Sequence, residues 1–316
     1  MKHQNFASFL TDTPSHEINN TLLVNADCFN WLEQIPSESI HAVVTDPPYG
    51  VKEYELEQLQ KKANGSGGTW RIPPDFDGSK RAPLPRFTAL STREIEILRD
   101  FFSHWSELIL RVLKPGGHLF IASNAYLSQI VFSAVAASGI EFRGEVIRLV
   151  RTMRGGDRPK NAEAEYDGVC TLPRGCYEPW GLFRKPMPPK MTVKDCLDKF
   201  QTGGLRRMTD GKPFNDVIES TRTPKKEKEI ANHPSLKPQS FLRQIVYASL
   251  PLGEGLVLDP FMGSGSTIAA AASHGYSAIG VERHQEYYQL SIDAIPKLRD
   301  LPITLPGITQ LTLPLE

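Results

Sequence analysis

Residues 257–271 read VLDPFMGSGSTIAAA, and three signals follow one another in that short space. An apolar run ends in an acid, Asp259; glycines follow at Gly263 and Gly265; an alanine-rich stretch opens at Ser266 and Thr267. The apolar run predicts a buried strand and the alanine stretch a helix, so the unit is strand, tight turn, helix. Glycines in such a turn let a ligand approach the backbone, and the helix start offers N–H groups that have no partner within the helix. The next apolar run, SAIGVE at 277–282, closes on a second acid, Glu282, about 17 to 19 residues beyond the glycines. A carboxylate at that distance can accept hydrogen bonds from two ribose hydroxyls. A glycine needed only for helix–strand packing gives the same local pattern, and so does a dinucleotide site. The unit sets the fold and leaves the ligand open.

Outward from this unit the chain repeats the same alternation. TLLVNAD predicts a strand ending in Asp27, CFNWLEQI a short amphipathic helix, and HAVVTD the next strand. STREIEILRDFFSHWSELILRVL predicts a long helix with Ser91 and Glu94 as its capping box, ended by LKPGG, with HLFIAS as another buried strand. NAYLSQIVFSAVAASG has helical spacing, EFRGEVIRLV and EPWGLFRK read as later strands, and PQSFLRQIVYASL and QEYYQLSIDAIPKL as later helices. Apolar strands separated by helices predict an α/β fold with a doubly wound, mostly parallel sheet and inserted loops. Two stretches break the rhythm, residues 51–90 and 186–232; both are rich in Gly, Pro and charge and longer than plain connectors.

A second stretch, TDPPYG at 45–50, leaves the strand HAVV through an acid, two prolines and an aromatic ring. Pro47 and Pro48 fix φ and remove two backbone donors, so neither strand nor helix continues. What remains is a stiff corner bearing a carboxylate, Asp46, a carbonyl and the ring of Tyr49. Such a corner suits a flat group that carries an amine. In open α/β sheets ligands gather at the carboxyl ends of strands, and Asp27, Asp46, Asp259 and Glu282 all fall there. Two adjacent sites follow, one for a nucleoside-like cofactor and one for a planar amine.

The chain has 316 residues, 40% of them apolar, and its 36 basic residues equal its 36 acidic ones. Net charge is therefore silent about nucleic acid, but its distribution is not. Between Arg143 and Lys226 stand about 18 basic residues against about 11 acidic ones, roughly half of all the basic residues in the chain. A basic segment in a neutral protein is the footprint expected of a nucleic-acid face, and equally of a solvated loop region. No run reaches the length of a membrane span, the first residues lack the apolar core of a signal peptide, and the four cysteines show no metal-type spacing. A cytoplasmic protein with free thiols and no bound metal is expected.

TDPPYG, LKPGGHLFI, HPSLKP, LDPFMGSGST and AIGVE, in that order, resemble the S-adenosylmethionine-dependent DNA amino-methyltransferases that modify adenine N6 or cytosine N4. The catalytic corner comes first and the glycine turn last, as in the circularly permuted β group of that family. The likeness runs from Thr21 to Leu298. It implies a Rossmann-like methyltransferase fold, S-adenosyl-L-methionine as cofactor and double-stranded DNA as partner, with the target base flipped out of the duplex. A homodimer, a cognate restriction enzyme and a bacterial, archaeal or phage cytoplasm are further expectations of the same kind. The implied layout is a tail over 1–20, a catalytic half over 21–185 with the 51–90 insertion, a target-recognition insertion over 186–232, a cofactor half over 233–300 and a tail over 301–316.

The resemblance also assigns residues. Asp46, Pro47, Pro48 and Tyr49 would be catalytic, with Asp46 also beside the cofactor. Phe261, Gly263, Ser264, Gly265, Ser266 and Thr267 would form the cofactor turn, with Asp259 as its support. Glu282 and Arg283 would lie at the ribose, Asp27 and Cys28 at the adenine. His233, Ser235 and Lys237 of HPSLKP belong to the cofactor half; Lys237 is a candidate for the methionine carboxylate, and a proline-stiffened helix entry explains the motif as well. For nucleic acid the candidates are Arg151, Arg154 and Arg158 in RTMRGGDRPKNAE and Arg206 and Arg207 in TGGLRRMTDGKPF. Trp70 and Arg71 fit a DNA-contacting tip or an ordinary loop anchor. Asp46 in DPPY favours adenine N6, with cytosine N4 as the alternative. A catalytically idle DNA-binding subunit is a reading from another class; modification of RNA or of a protein amide is a third.

Overall fold

The computed structural model describes residues 5–48, 70–71, 84–85, 90–155, 159, 162, 164–170, 173–303 and 305. Its elements are, in order, β1 (Ser15–Ile18), β2 (Thr21–Asn25), α1 (Cys28–Gln34), β3 (Ile40–Thr45), β4 (Trp70–Arg71), β5 (Leu84–Pro85) and α2 (Thr92–Val112). Then come β6 (Leu113–Ala122), α3 (Ser128–Ala137), β7 (Glu141–Gly155), β8 (Arg174–Arg184), α4 (Val193–Phe200), β9 (Val217–Ser220) and α5 (Lys225–Ile230). The last third holds α6 (Gln239–Ser249), β10 (Leu256–Asp259), α7 (Ser266–Ser273), β11 (Ser277–Glu282) and α8 (Gln285–Arg299). Two compact units divide the chain. The first comprises Met1–Pro47, Phe102–Arg151 and Tyr177–Glu316, the second Pro48–Phe101 and Thr152–Cys176. In the second, β4 and β5 pair antiparallel, and Ser91 and Glu94 cap the start of α2 reciprocally.

One nine-stranded sheet, in the order β1-β2-β11-β10-β3-β6-β8-β7-β9, organises the first unit. β2, β11, β10, β3 and β6 run parallel to their neighbours, while β1 and β8 enter antiparallel. This is the doubly wound α/β sheet expected from the alternation. The chain leaves β10 through α7 to β11 on one side, while β3 leads to β6 on the other. The crevice between β10 and β3 is therefore the point where the winding reverses, and ligands of open α/β sheets bind at such a point. The central strands are apolar on both faces: all of Val43, Val44, Leu119, Phe120, Val257, Leu258 and Ile279 are fully buried. Trp31, Trp105 and Trp180 are the largest of the fully buried side chains, and the ring of Trp180 meets Phe241 of α6 edge-on, 5.3 Å between centroids.

Two local expectations are corrected. LKPGG does not end the long helix as a separate turn; β6 begins at Leu113, which pairs with Ile40, and the register slips between Ile40 and Ala42. Residues 186–232 are not an irregular insertion. They contain α4, which Thr192 and Asp195 cap reciprocally, then β9, which pairs parallel with β7, and α5. Four-residue strands and six-residue helices are too short to show a period in sequence.

Candidate active site

β3 and β10 end side by side, with Leu258 paired to Val43, and their end residues are tied together. Thr45 Oγ1 donates to Asp259 Oδ1 at 2.7 Å, across the crevice. The same Oδ1 accepts from the N–H of Phe261 at 3.1 Å, and the Thr267 hydroxyl bonds Asp259 as well. Burial raises the Asp259 carboxyl to about 6, although those three hydrogen bonds favour its charged form. Asp259 thus holds the corner after β3 and the turn after β10 in one frame. Asp46 is half-buried, Pro47 buried and Pro48 exposed.

The turn itself needs glycine. Gly265 has φ +83°, and a Cβ there would stand 2.5 Å from Ile295 Cγ1 of α8. At Gly263, φ +52°, a Cβ would press on the His233 ring at 3.0 Å. Glu282 clamps both loops: Oε2 accepts from Gly263 N at 3.1 Å and Oε1 from His284 N at 2.7 Å, and burial pushes its pKa upward. Ser264 Oγ is buried with no hydrogen-bond partner among the described residues. A hydroxyl left in that state normally meets a ligand or a water. The turn therefore offers what a nucleoside-bearing cofactor needs: a close backbone approach, a carboxylate at the end of the neighbouring strand and an unsatisfied hydroxyl.

HPSLKP enters the same place. His233 packs edge-on against Tyr287, 4.4 Å between centroids, and its Nδ1 accepts from Ser235 N. Burial, with Lys237 and His284 nearby, lowers its pKa to about 4, so the ring is neutral near pH 7. The Lys237 ammonium donates to Asp46 Oδ2, and its nitrogen lies 3.8 Å from Glu178 Oε1. Burial works against its charge, but Asp46 and Glu178 outweigh it and keep its pKa raised. Asp27 caps α1, accepting from Phe29 N at 3.0 Å, and the buried Cys28 thiol is pushed well above its ordinary range by burial, so it stays protonated. Arg283 is exposed, and its Nε donates to His284 Nε2 at 3.1 Å.

Sequence reading missed three residues here. Glu178 lies in β8 just before the part that pairs antiparallel with β6, and that direction brings it to the rim where the parallel strands end. Arg148, read as a strand residue in VIRLV, is buried; it bonds Glu178 Oε2 at 3.2 Å, Ser220 Oγ at 3.0 Å and the Thr221 carbonyl at 2.9 Å. Ser123, just beyond β6, has a buried hydroxyl with no hydrogen-bond partner among the described residues. A cleft of about 560 Å³, lined by Leu149, Val150, Glu219, Ser220, Thr221 and Arg222, opens where β7 and β9 run side by side.

The nucleic-acid candidates divide differently. Arg206 does not reach this rim. Its Nη1 donates to the Tyr276 hydroxyl at 2.6 Å, its guanidinium lies 4.4 Å over the Tyr247 ring, and its N–H bonds the Ala248 carbonyl. Tyr276 precedes β11 and Ala248 lies at the end of α6, so Arg206 belongs to the opposite rim, where strands begin. Arg207 follows it, exposed, with Nη1 on the Gly211 carbonyl at 2.8 Å. Trp70 and Arg71 form β4, Arg151 and Arg154 lie in β7, and Tyr49 and Arg158 fall outside the described residues.

Comparison with known proteins returns one family: the profile described as DNA methylase, of the N6/N4 type, matches residues 40–293. Among curated proteins the chain is similar to the type II methyltransferase M2.LlaDCHI of Lactococcus lactis subsp. cremoris, 25% identical over 286 residues, covering 90% of this chain and 93% of that one. Among solved structures it shares the fold of the DNA modification methylase TTHA0409 of Thermus thermophilus, with TM-score 0.54 and 18% identity over 87% of this chain and 94% of that one. It shares it too with the cytosine-N4-specific PvuII DNA methyltransferase, with TM-score 0.55 and 16% identity over 92% and 89% of the two chains.

Proposed function

The chain belongs to the N6/N4 DNA methylase family, a family of S-adenosylmethionine-dependent enzymes, and from that premise we propose that it methylates adenine N6 in double-stranded DNA. The observation that carries the reading is the Thr45–Asp259 hydrogen bond of 2.7 Å, because it joins the acceptor corner to the glycine turn at the ends of adjacent parallel strands. A methyl group has to pass only between neighbouring loops.

S-adenosylmethionine supplies the methyl group as a sulfonium. The turn from Phe261 to Thr267 would hold it together with Glu282, whose carboxylate fixes the turn through Gly263 N. On the other side, the exocyclic amine of adenine is a poor nucleophile, since its lone pair is delocalised into the ring. Asp46 and the Pro47 carbonyl each accept one N–H, which favours a pyramidal nitrogen and the positive charge that develops on it. The resemblance assigns stacking on the base to Tyr49, which lies outside the described residues. Orientation of this kind contributes on the order of 7 to 11 kcal/mol to bimolecular reactions, so no strong base is required. The C–N bond would form as the sulfonium S–CH3 bond breaks and releases the thioether, and the nitrogen's surplus proton would then leave to solvent. The base reaches the corner only by leaving the duplex, at a cost of roughly a few kcal/mol that contacts to phosphates offset.

The choice of adenine rests on Asp46, since many cytosine-N4 relatives carry Ser there. Incubation with S-adenosylmethionine and duplex DNA, digestion to nucleosides and mass analysis tests it. N6-methyladenine is the expected product; N4-methylcytosine alone would transfer the same mechanism to the other base.

A further inference from the structure

Lys237 presents one ammonium to two carboxylates. It donates to Asp46 Oδ2 and stands 3.8 Å from Glu178 Oε1, with its side chain only 12% exposed. Asp46 Oδ2 is therefore taken by a protein N–H in the place where the proposed reaction needs a substrate N–H. A buried ammonium cannot simply withdraw, because leaving one counter-charge without reaching another strands it. It needs somewhere else to go.

Glu178 is built to be that place. Its Oε1 accepts from Trp180 Nε1 at 2.9 Å and its Oε2 from Arg148 Nη1 at 3.2 Å. Trp180 is fully buried and paired with Ala122 of β6, and Arg148 is pinned by Ser220, Thr221 and the Phe241 ring beneath it. The carboxylate is thus held still from two sides, while Lys237 carries a flexible four-carbon stem. Two positive and two negative groups share the cluster, so a swing of the ammonium leaves its total charge unchanged.

We propose that Glu178 is a positioning residue, the second seat to which the Lys237 ammonium moves from Asp46 so that Asp46 can accept the amino group of the target base. The inference rests on the methyltransferase reading. Lys237 then acts as a stand-in for the substrate amine, keeping Asp46 paired until a base arrives, and Arg148 fixes Glu178 at the distance that makes the exchange short.

The test is a double-mutant cycle on kcat/KM for duplex DNA, with cofactor affinity measured separately by calorimetry. Glu178→Gln keeps the shape and one acceptor oxygen, enough for Trp180 Nε1 or Arg148 Nη1 but not both, and removes the charge of the second seat, so kcat/KM for DNA should fall at least about tenfold while cofactor Kd changes less than twofold. In the Lys237→Gln background the same substitution should cost less than twofold, because there is no ammonium left to seat. Equal losses in both backgrounds overturn the inference and assign Glu178 a purely structural role. A second measurement needs no variant. In protein labelled with 15N-lysine, the Lys237 Nζ resonance should shift when a duplex carrying the methylated site is added, and a signal unmoved by DNA overturns the two-seat account. Wild-type protein that methylates no DNA removes the underlying reading and this inference with it; active wild type with equal losses removes the inference alone.

Discussion

The two rims of the central sheet are built from similar residues and behave differently. At the rim where strands begin, several buried polar groups satisfy one another, although His118 Nδ1, opposite Ala42 near the start of β3, has no hydrogen-bond partner among the described residues. Arg206 bonds Tyr276 and covers Tyr247, His41 Nδ1 accepts from Leu256 N at 3.0 Å, and Thr202 and Cys196 both bond the Pro115 carbonyl. At the rim where strands end, pairing within the protein is incomplete. Lys237 serves two carboxylates, and Ser264 and Ser123 keep hydroxyls without partners among the described residues. A satisfied buried network stabilises the fold; an incompletely satisfied one marks where a ligand completes it. Substitutions should therefore separate the rims, one set moving stability and the other moving binding and turnover.

The largest effect is expected at Asp46. Asp46→Asn preserves shape and leaves Lys237 with Glu178, so folding should be nearly unchanged. It removes the charge that supports the developing cation on the base, and losses for one preorganised group of this kind run to roughly a hundred- to a thousandfold in kcat. Single-turnover methylation together with cofactor calorimetry measures both quantities. Turnover within tenfold of wild type would move the acceptor role elsewhere. Arg206 is the converse case. Arg206→Ala loses the Tyr276 hydrogen bond and the stack on Tyr247, and should cost about 3 kcal/mol of stability in urea unfolding. The salt dependence of DNA binding should not change, and a lower slope would return Arg206 to the DNA face.

The sequence already placed the acids of the strand-end rim and little of what connects them. An apolar run that ends in an acid and then turns through glycine or proline announces a strand end, which is why Asp46, Asp259 and Glu282 were legible. The parallel sheet followed from the alternation of such runs with helices. Their partners were not legible: Lys237 meets Asp46 across 191 positions of chain, and Thr45 meets Asp259 across 214. Glu178 was hidden because the direction of β8 decides which of its ends faces the site, and direction is set by pairing, not by local pattern. The surroundings of Arg206 were hidden for a related reason. Two adjacent arginines in a Gly-rich segment look solvated until Tyr247 and Tyr276 are folded against one of them.

A third contrast is in pH. Burial holds the Asp259 carboxyl at about 6, against an ordinary value of 3.8. Below about 3.8 folded and unfolded chains both bind the proton, and the group favours neither. Between 3.8 and 6 the unfolded chain ionises first, so stability is lost as pH rises through that window, and the full cost is present above 6. Asp259→Asn keeps an acceptor for Thr45 and Phe261 and should gain about 2–3 kcal/mol over wild type at pH 7.5, with the gain shrinking towards pH 4.5. The buried histidines, His233 at this same rim among them, should behave in reverse. His41 and His274 are held neutral by burial, with pKa lowered to about 4, so their contribution is lost as pH falls from 6.5 to 4. Urea midpoints of wild type and variant across this range separate the two, and a pH-independent difference would mean that Asp259 is ionised in the folded protein throughout.

The smallest effect is the most discriminating. Ser264 Oγ is buried at the glycine turn with no partner among the described residues. Ser264→Ala should leave stability unchanged or raise it by a few tenths of a kcal/mol. If the hydroxyl meets the cofactor, the same change removes about 1 kcal/mol of binding, roughly a five- to tenfold rise in Kd for S-adenosylmethionine by calorimetry. For Arg206→Ala the signs are exchanged, with stability lost and cofactor affinity kept. A Ser264→Ala protein that melts lower and binds the cofactor as well as wild type would place this hydroxyl with the internally satisfied groups. The division between the rims would then fail at the one position where it is drawn most finely.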